Sequence, residues 1–316
     1  MTDQPALERR PLTPPDAPAV LDLVTGHDRE FFGEPLTDLE DILAAWQVPA
    51  FDLSRDSLGV WHEGALVASA ELGPRGRLEV VVAAGWRGRG LEAELEAGLE
   101  ARARERGLAA VDQYVPEGDD VGLQRVQSRG YRLQHTGWLL RLDPDATIAG
   151  RQLPTGYQVR PFRPEDATAA FTVIVEAFGE WDSGPARSFA DWEAESLHRP
   201  GGDPAGFRVA THDGAVVGVC VVLDSEDEAW VSQLATHREH RGRGVAQQLL
   251  AESYAAARQR GLARGGLSTD SRTGALDLYL RLGMRVQHTV HNWSLALAVD
   301  ARPASSAGLA PVAVDR

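Results

Sequence analysis

The feature that most constrains this chain is a long internal repeat. Arg10-Pro11-Leu12-Thr13-Pro14-Pro15-Asp16-Ala17 returns as Arg160-Pro161-Phe162-Arg163-Pro164-Glu165-Asp166-Ala167, and His62-Glu63-Gly64-Ala65-Leu66-Val67 returns as His212-Asp213-Gly214-Ala215-Val216-Val217. Further on, Arg87-Gly88-Arg89-Gly90 matches Arg241-Gly242-Arg243-Gly244, and Arg104-Glu105-Arg106-Gly107-Leu108-Ala109 matches Arg258-Gln259-Arg260-Gly261-Leu262-Ala263. Four matches in one order, about 150 residues apart, are too widely spaced for a solenoid and mark two copies of one domain. The junction is expected between Asp143 and Thr155, where Pro144, Gly150 and Pro154 interrupt regular structure. Residues 8–142 and 156–300 are the expected domains, and a disordered tail rich in Pro, Ala and Ser is expected over 301–316.

Composition removes several function classes. With 316 residues, 43% hydrophobic, the chain is long enough to bury two cores. It contains no lysine, so its 32 basic residues are all arginines. A pyridoxal phosphate Schiff base, a Walker P-loop lysine and a kinase lysine are therefore excluded. The formal charge of -14 argues against nucleic acid as a partner and fits a neutral or cationic one. Cys220 is the only cysteine, which excludes an intrachain disulfide, a thiolate zinc site and an iron–sulfur cluster. Its place in the apolar run from Ala215 to Leu223 predicts a buried strand thiol. The polar, proline-rich start and the lack of a stretch of ~20 apolar residues predict a cytoplasmic protein with no membrane partner.

In the second copy, Gln158 to Phe162 reads as a strand, and Pro164 opens a helix that runs to Phe178. A second helix is expected from Pro185 to His198. Phe207 to Thr211 and Ala215 to Leu223 flank Asp213-Gly214, a pair suited to a tight hairpin because both residues tolerate positive φ. A strand over Ala229 to Ala235, a helix from Gly244 to about Arg260, a strand near Gly265 to Thr269 and a helix from about Thr273 to Leu282 follow. Two last strands are expected within Arg285 to Leu297. The fold class is α/β (α+β), with a mixed, mostly antiparallel sheet flanked by helices in each copy.

Chemistry concentrates where the strand ending at Ala235 gives way to Arg241-Gly242-Arg243-Gly244-Val245-Ala246. Glycines relieve crowding at such a turn, and the first-turn amides of the helix point outward with the positive end of its dipole. A pyrophosphate fits there, with Ala246 leaving the approach open and Arg241 and Arg243 adding charge. A tight structural connection would use the same residues, so the turn alone does not decide. Tyr279 stands further on, in Ala275-Leu276-Asp277-Leu278-Tyr279-Leu280-Arg281-Leu282-Gly283-Met284. Ala275, Tyr279 and Leu282 share a helix face, so core packing is the alternative reading of the tyrosine.

Strand, R-x-x-G-x-A turn and A-x-x-x-Y-x-x-x-G-M helix together resemble the GNAT superfamily of acyl-CoA N-acyltransferases, one GNAT domain in each half. The resemblance implies acetyl-CoA as co-substrate, with its pyrophosphate on the backbone from Arg241 to Ala246 and its pantetheine arm pairing with Leu234, Ala235 and Thr236. It assigns Tyr279 as the acid that protonates the departing thiolate. The acceptor amine also needs a base, since an alkyl amine of pKa ~10.4 is neutral in only about one molecule per 10³ at pH 7. Glu228, at the start of its strand, is the expected base; the alternative reading is that Asp224, Glu226, Glu228 and Glu180 are all solvated loop or edge charges. Arg272 stands where the family usually carries an asparagine that helps hold CoA. Trp181, Trp192, Phe178 and Phe189 lie where the family builds acceptor pockets, with core packing as the equal alternative.

In the first copy, Glu92 replaces the small residue, Val126 aligns with Tyr279 and Pro74 takes the position of Glu228. A like charge ~4 Å from a phosphate costs up to about 4 kcal/mol at an effective dielectric of 20, roughly a thousandfold in affinity. The first domain is therefore expected to brace the second and wall part of its acceptor site. The tandem layout is similar to the mycothiol synthase-like actinobacterial group. An N-acetyltransferase acting on a primary amine of a small molecule is expected; the alternative is a non-catalytic acyl-CoA sensor or scaffold. No metal is expected, because His237-x-x-His240 and His288-x-x-His291 lack carboxylates at ligand spacing and read as surface histidines.

Overall fold

The computed structural model describes residues 6–181, 186–200, 202–225 and 228–297. The expected tail over 301–316, the end of the expected second domain and Glu226 lie outside the described residues. The first half runs β1 (Glu8–Arg10), α1 (Ala17–Phe32), α2 (Leu39–Trp46), α3 (Leu53–Asp56), β2 (Ser57–His62), β3 (Ala65–Leu72), β4 (Leu78–Val82), α4 (Leu91–Glu105), β5 (Ala110–Pro116), α5 (Asp120–Ser128) and β6 (Arg132–Leu142). The second runs β7 (Tyr157–Pro161), α6 (Ala167–Phe178), α7 (Phe189–Ser196), β8 (Arg208–His212), β9 (Ala215–Ser225), β10 (Glu228–Thr236), α8 (Val245–Gln259), β11 (Arg264–Asp270), α9 (Leu276–Arg281) and β12 (Arg285–Ala296).

Local chemistry repeats between the halves. Asp213 and Gly214 take φ of 49° and 87°, and Glu63 and Gly64 take 51° and 83°, so both hairpins turn through paired left-handed residues. Arg160 holds Asp166 through two hydrogen bonds of 2.6 and 2.7 Å, as Arg10 holds Asp16 at 2.7 and 2.8 Å. Each pair ties the first strand of its half to the start of the following helix.

The last strands are exchanged. One sheet has the order β1-β2-β3-β4, and the other β5-β12-β6-β11-β10-β9-β8-β7. Strand β6 of the first half pairs antiparallel with β11 of the second, while β12 pairs with β5 of the first and with β6 itself. The two final strands expected within 285–297 are thus one bulged strand, because the neighbour that completes the second-half sheet comes from the first half. Leu140 and Leu142 of β6 lie in the core under α8, and Leu297 reaches the core under α4. A fully buried leucine is worth about 1.5–3 kcal/mol, so each core depends on chain from the other half. Arg199, 7% exposed, adds a polar link, at 2.8 Å from Asp38 and 2.5 Å from Asp41. Cys220 is buried and its thiol is pushed up to about 12 by burial, so it is an inert packing residue.

Candidate functional site

Strands β10 and β11 are parallel neighbours only from Glu228–Arg264 to Val231–Leu267. Beyond that point they part. A register shift between Val231 and Gln233 puts a bulge in β10 where the parting begins, and the other edge of β10 stays paired with β9 as far as Thr236. From Ser232 onward, then, one edge of β10 faces open space rather than β11. A cavity of about 770 Å³ fills the wedge, lined on its two sides by Ser232, Leu234, Ala235 and Thr236 and by Ser268, Thr269 and Asp270. The Thr236 hydroxyl is buried there without a hydrogen-bond partner among the described residues.

At the wide end of the wedge, β10 leads to α8 through Gly242 and Gly244, whose φ of 75° and 85° favour glycine. The first helical bond runs from Gln248 N–H to the Gly244 carbonyl, so the amides of Val245, Ala246 and Gln247 have no intrahelical acceptor. Gly242, Gly244, Val245 and Ala246 all line the cavity, as do Leu234, Ala235, Thr236 and Arg241. Arg243 and Arg272, also expected at the CoA site, are not on its wall. Arg243 bonds the Glu239 carbonyl, and Arg272 holds Asp270 at 2.7 and 3.1 Å and reaches the Trp181 carbonyl at 3.4 Å. Burial alone would push the Asp270 carboxyl up, but hydrogen bonds and charge from Arg272 outweigh it and hold the group below the usual range.

Tyr279 reaches the same cavity from α9, 7% exposed. Burial, then the neighbouring Cys220, raises its phenol well above the ordinary value, so it keeps its proton throughout the neutral range. Tyr279 is a core residue and a wall residue at once: it belongs to the core under α8 while lining the cavity.

Glu228, the expected base, lies apart from the cavity. It sits at the paired root of the wedge, off the cavity wall, with Oε1 3.2 Å from Arg141 Nε. Arg141 in turn holds Glu34 at 3.1 Å, so the carboxylate belongs to a bridge between the halves. Sequence spacing placed it on the correct strand; Arg141 arrives only through the exchanged strand, which spacing cannot show. Glu180 is likewise engaged, by Arg241 at 2.7 and 2.9 Å, and Asp224 by Arg260 at 2.8 and 2.9 Å. Of the expected acceptor-pocket aromatics, Phe178 and Trp181 line the cavity, whereas Trp192 is fully buried and packs on Phe171 and Phe189. His288 is half-buried against Phe32 and Glu34 rather than a free surface histidine.

The first half supplies the remaining wall. Arg77, Tyr114, Gly137, Trp138 and Leu139 line the cavity, with the Arg77 guanidinium 4.2 Å from the centre of the Tyr114 ring. Its own turn keeps the shape of the second, with Gly88 and Gly90 at φ of 70° and 88°, but carries Glu92 where the second has Ala246.

Residues 167–284 match the model of the Acetyltransferase (GNAT) family. None of the curated proteins matches the chain. Among solved structures, a GCN5-related N-acetyltransferase from Sphaerobacter thermophilus is similar over 92% of this chain and 95% of its own, at 28% identity and a TM-score of 0.75. A tandem GNAT protein from the clavulanic acid biosynthesis pathway shares the fold over 92% of this chain and 98% of its own, at 20% identity and a TM-score of 0.70. The N-myristoyltransferase of Saccharomyces cerevisiae shares it over 94% and 80%, at 11% identity and a TM-score of 0.62. Residues 167–284 thus form a GNAT acetyltransferase domain, which gives the second half the make-up of a GNAT-type acyltransferase.

Proposed function

We propose that the protein moves an acetyl group from acetyl-CoA to a primary amine of a small molecule, and that the wedge of the second half is where it does so. One observation carries the reading: the parted strands, the open amides after Gly244 and the protonated Tyr279 all face a single cavity. The residues fit the donor. Amides of Val245, Ala246 and Gln247 suit a pyrophosphate, the free edge of β10 from Ser232 to Thr236 suits the amides of a pantetheine arm, and the Thr236 hydroxyl has no partner there among the described residues. Binding both reactants in one cavity turns a bimolecular encounter into a positioned one, which supplies several kcal/mol of the barrier.

In the transfer, the amine nitrogen bonds to the thioester carbon, the carbon–sulfur bond breaks, and Tyr279 Oη gives its proton to the leaving sulfur. The amine's proton leaves through solvent. Asp270, the carboxylate on the wall, is held ionised by Arg272, and Glu228 is held by Arg141 at the wedge's root. Direct abstraction by Glu228 is therefore not part of this reading. The first half acts as a wall for the acceptor through Arg77, Tyr114 and Trp138.

Calorimetric titration with acetyl-CoA, followed by thiol release against a panel of small amines, tests the proposal. One site per chain and turnover on an amine are expected. Tight binding with no turnover on any amine supports a sensor instead, and a donor seated on the Gly88–Gly90 turn reverses the assignment of the halves.

A further inference from the structure

We infer that Arg151, from the segment joining the two halves, is a phosphate ligand of the CoA moiety. The inference rests on the proposed donor site and adds a residue from outside the matched domain. Its segment is stitched to the start of α8: Gln247 Nε2 donates to the Ala149 carbonyl at 2.9 Å, and Arg151 N–H donates to Gln248 Oε1 at 2.6 Å. The Arg151 stem then crosses the bend itself. A Cβ on Gly244 would collide with the Cδ and Nε of Arg151 and crowd its Cγ, whereas a Cβ on Gly90 would meet nothing within 4 Å. Gly244 therefore has a second role that its counterpart lacks, which is to let an arginine lie across the turn.

The charge state of the surroundings points the same way. Arg151 lines the cavity beside His240, Gly242, Ala246 and Gln247. The other arginines of the turn are committed, Arg241 to Glu180 and Arg243 to the Glu239 carbonyl. Among the described residues, no carboxylate or carbonyl takes a hydrogen bond from the Arg151 guanidinium. His240 brings no stable positive charge, since partial burial and then His212, His237 and Arg243 hold it below its ordinary value. A guanidinium with free donors beside a bed of unpaired amides suits a phosphate, which it can meet through two parallel hydrogen bonds. The arginine also ties donor binding to the junction between β6 and β7, the segment that follows the exchanged strand.

The experiment is calorimetric titration of the full chain with CoA and with 3′-dephospho-CoA, for wild type, Arg151→Ala, Arg151→Lys and Arg151→Glu, alongside the melting temperature of each unliganded protein. One lost charge-assisted contact predicts a CoA affinity about tenfold to a hundredfold weaker in Arg151→Ala. Partial recovery in Arg151→Lys, a larger loss in Arg151→Glu and unchanged melting temperatures are also expected. A loss seen with both ligands places the contact on the pyrophosphate; a loss confined to CoA places it on the 3′-phosphate. Wild-type binding with Arg151→Ala within about twofold of it overturns the inference alone. A loss matched by a fall in melting temperature and not graded with charge assigns Arg151 a structural role and overturns it too. Wild type that fails to bind CoA overturns the donor site on which the inference rests.

Discussion

Arg241 grips Glu180 through two hydrogen bonds of 2.7 and 2.9 Å while its Nε donates to the Thr236 carbonyl at 3.0 Å. The first half repeats the arrangement: Arg87 Nε donates to the Val82 carbonyl at 3.0 Å, and its guanidinium holds Glu30 at 2.6 Å. A contact present in both halves, including the one whose turn carries Glu92, is a brace between the first helix and the turn. It also engages the Arg241 guanidinium from the side of Glu180. Glu180→Gln should leave the acetyl-CoA dissociation constant within about threefold by calorimetry. A tenfold tightening would show that Glu180 competes with phosphate for Arg241, contrary to the bracing role.

Tyr279→Phe removes one oxygen and little else, since no protein hydrogen bond to that hydroxyl is present among the described residues and the ring stays packed under α8. Positioned proton transfer contributes typically 10²–10⁴-fold, so kcat should fall at least ~100-fold while the affinity for acetyl-CoA hardly moves. Because burial raises the phenol, its deprotonation should not produce an alkaline fall in kcat below about pH 10. Stopped-flow thiol release from pH 6 to 10 checks both points. An unchanged kcat takes Tyr279 out of the acid role.

The strand exchange and the Glu228 pairing share one reason for being invisible in the sequence. Hydrophobic patterning marks Arg285 to Leu297 as strand material, and the structure has β12 there, but a pattern gives no partner. Nothing local to Leu140 says that it packs beneath α8, and nothing local to Arg141 says that it meets Glu228. Readable features were those fixed by a few adjacent residues: the Asp213-Gly214 hairpin and the two glycines before α8. Arg272 shows the same limit. Its position after β11 was legible, while its bonds to Asp270 and the Trp181 carbonyl depend on how the loop after α6 comes down.

Glu228→Gln tests whether the carboxylate serves the bridge or the reaction. If the carboxylate serves the bridge through Arg141 to Glu34, its neutral isostere should weaken the junction and leave the acid limb of the kcat–pH profile where it was. Removing one charge from a largely buried pair costs on the order of 1–3 kcal/mol, which denaturant unfolding can resolve. An acid limb that disappears with unchanged stability would restore Glu228 as the base.

Glu71 gives the molecule a pH dependence unrelated to the wedge. Its carboxyl lies against Trp46 Nε1 at 2.9 Å and is pushed up to about 8, by burial first and by Glu79 second. The unfolded value is ~4.3, so between about pH 4.5 and 8 the folded chain binds more protons at this site than the unfolded one. Stability from this group is therefore complete at low pH and is lost as pH rises through 8. Glu71→Gln should be near neutral at pH 5 and stabilising by on the order of 2 kcal/mol at pH 8.5. Urea unfolding at both values checks the sign, and an equal effect at the two would remove Glu71 as the source.

Ala246→Glu transplants the first half's chemistry onto the second half's turn. The backbones are superimposable in kind, with Gly90 at φ 88°, ψ -1° and Gly244 at φ 85°, ψ 6°, so the side chain is the variable being tested. A carboxylate on the first turn of α8 stabilises the helix dipole, so the apoprotein should melt no lower than wild type. The same charge beside a pyrophosphate costs up to about 4 kcal/mol, and acetyl-CoA should bind as much as a thousandfold more weakly. The converse change, Glu92→Ala, restores the small residue in the first half but brings no Tyr279 equivalent, since Val126 is buried in its core. It should leave amine-dependent thiol release unaltered even if calorimetry shows a second binding event. Acetyl-CoA binding that survives Ala246→Glu undiminished would move the pyrophosphate off this turn.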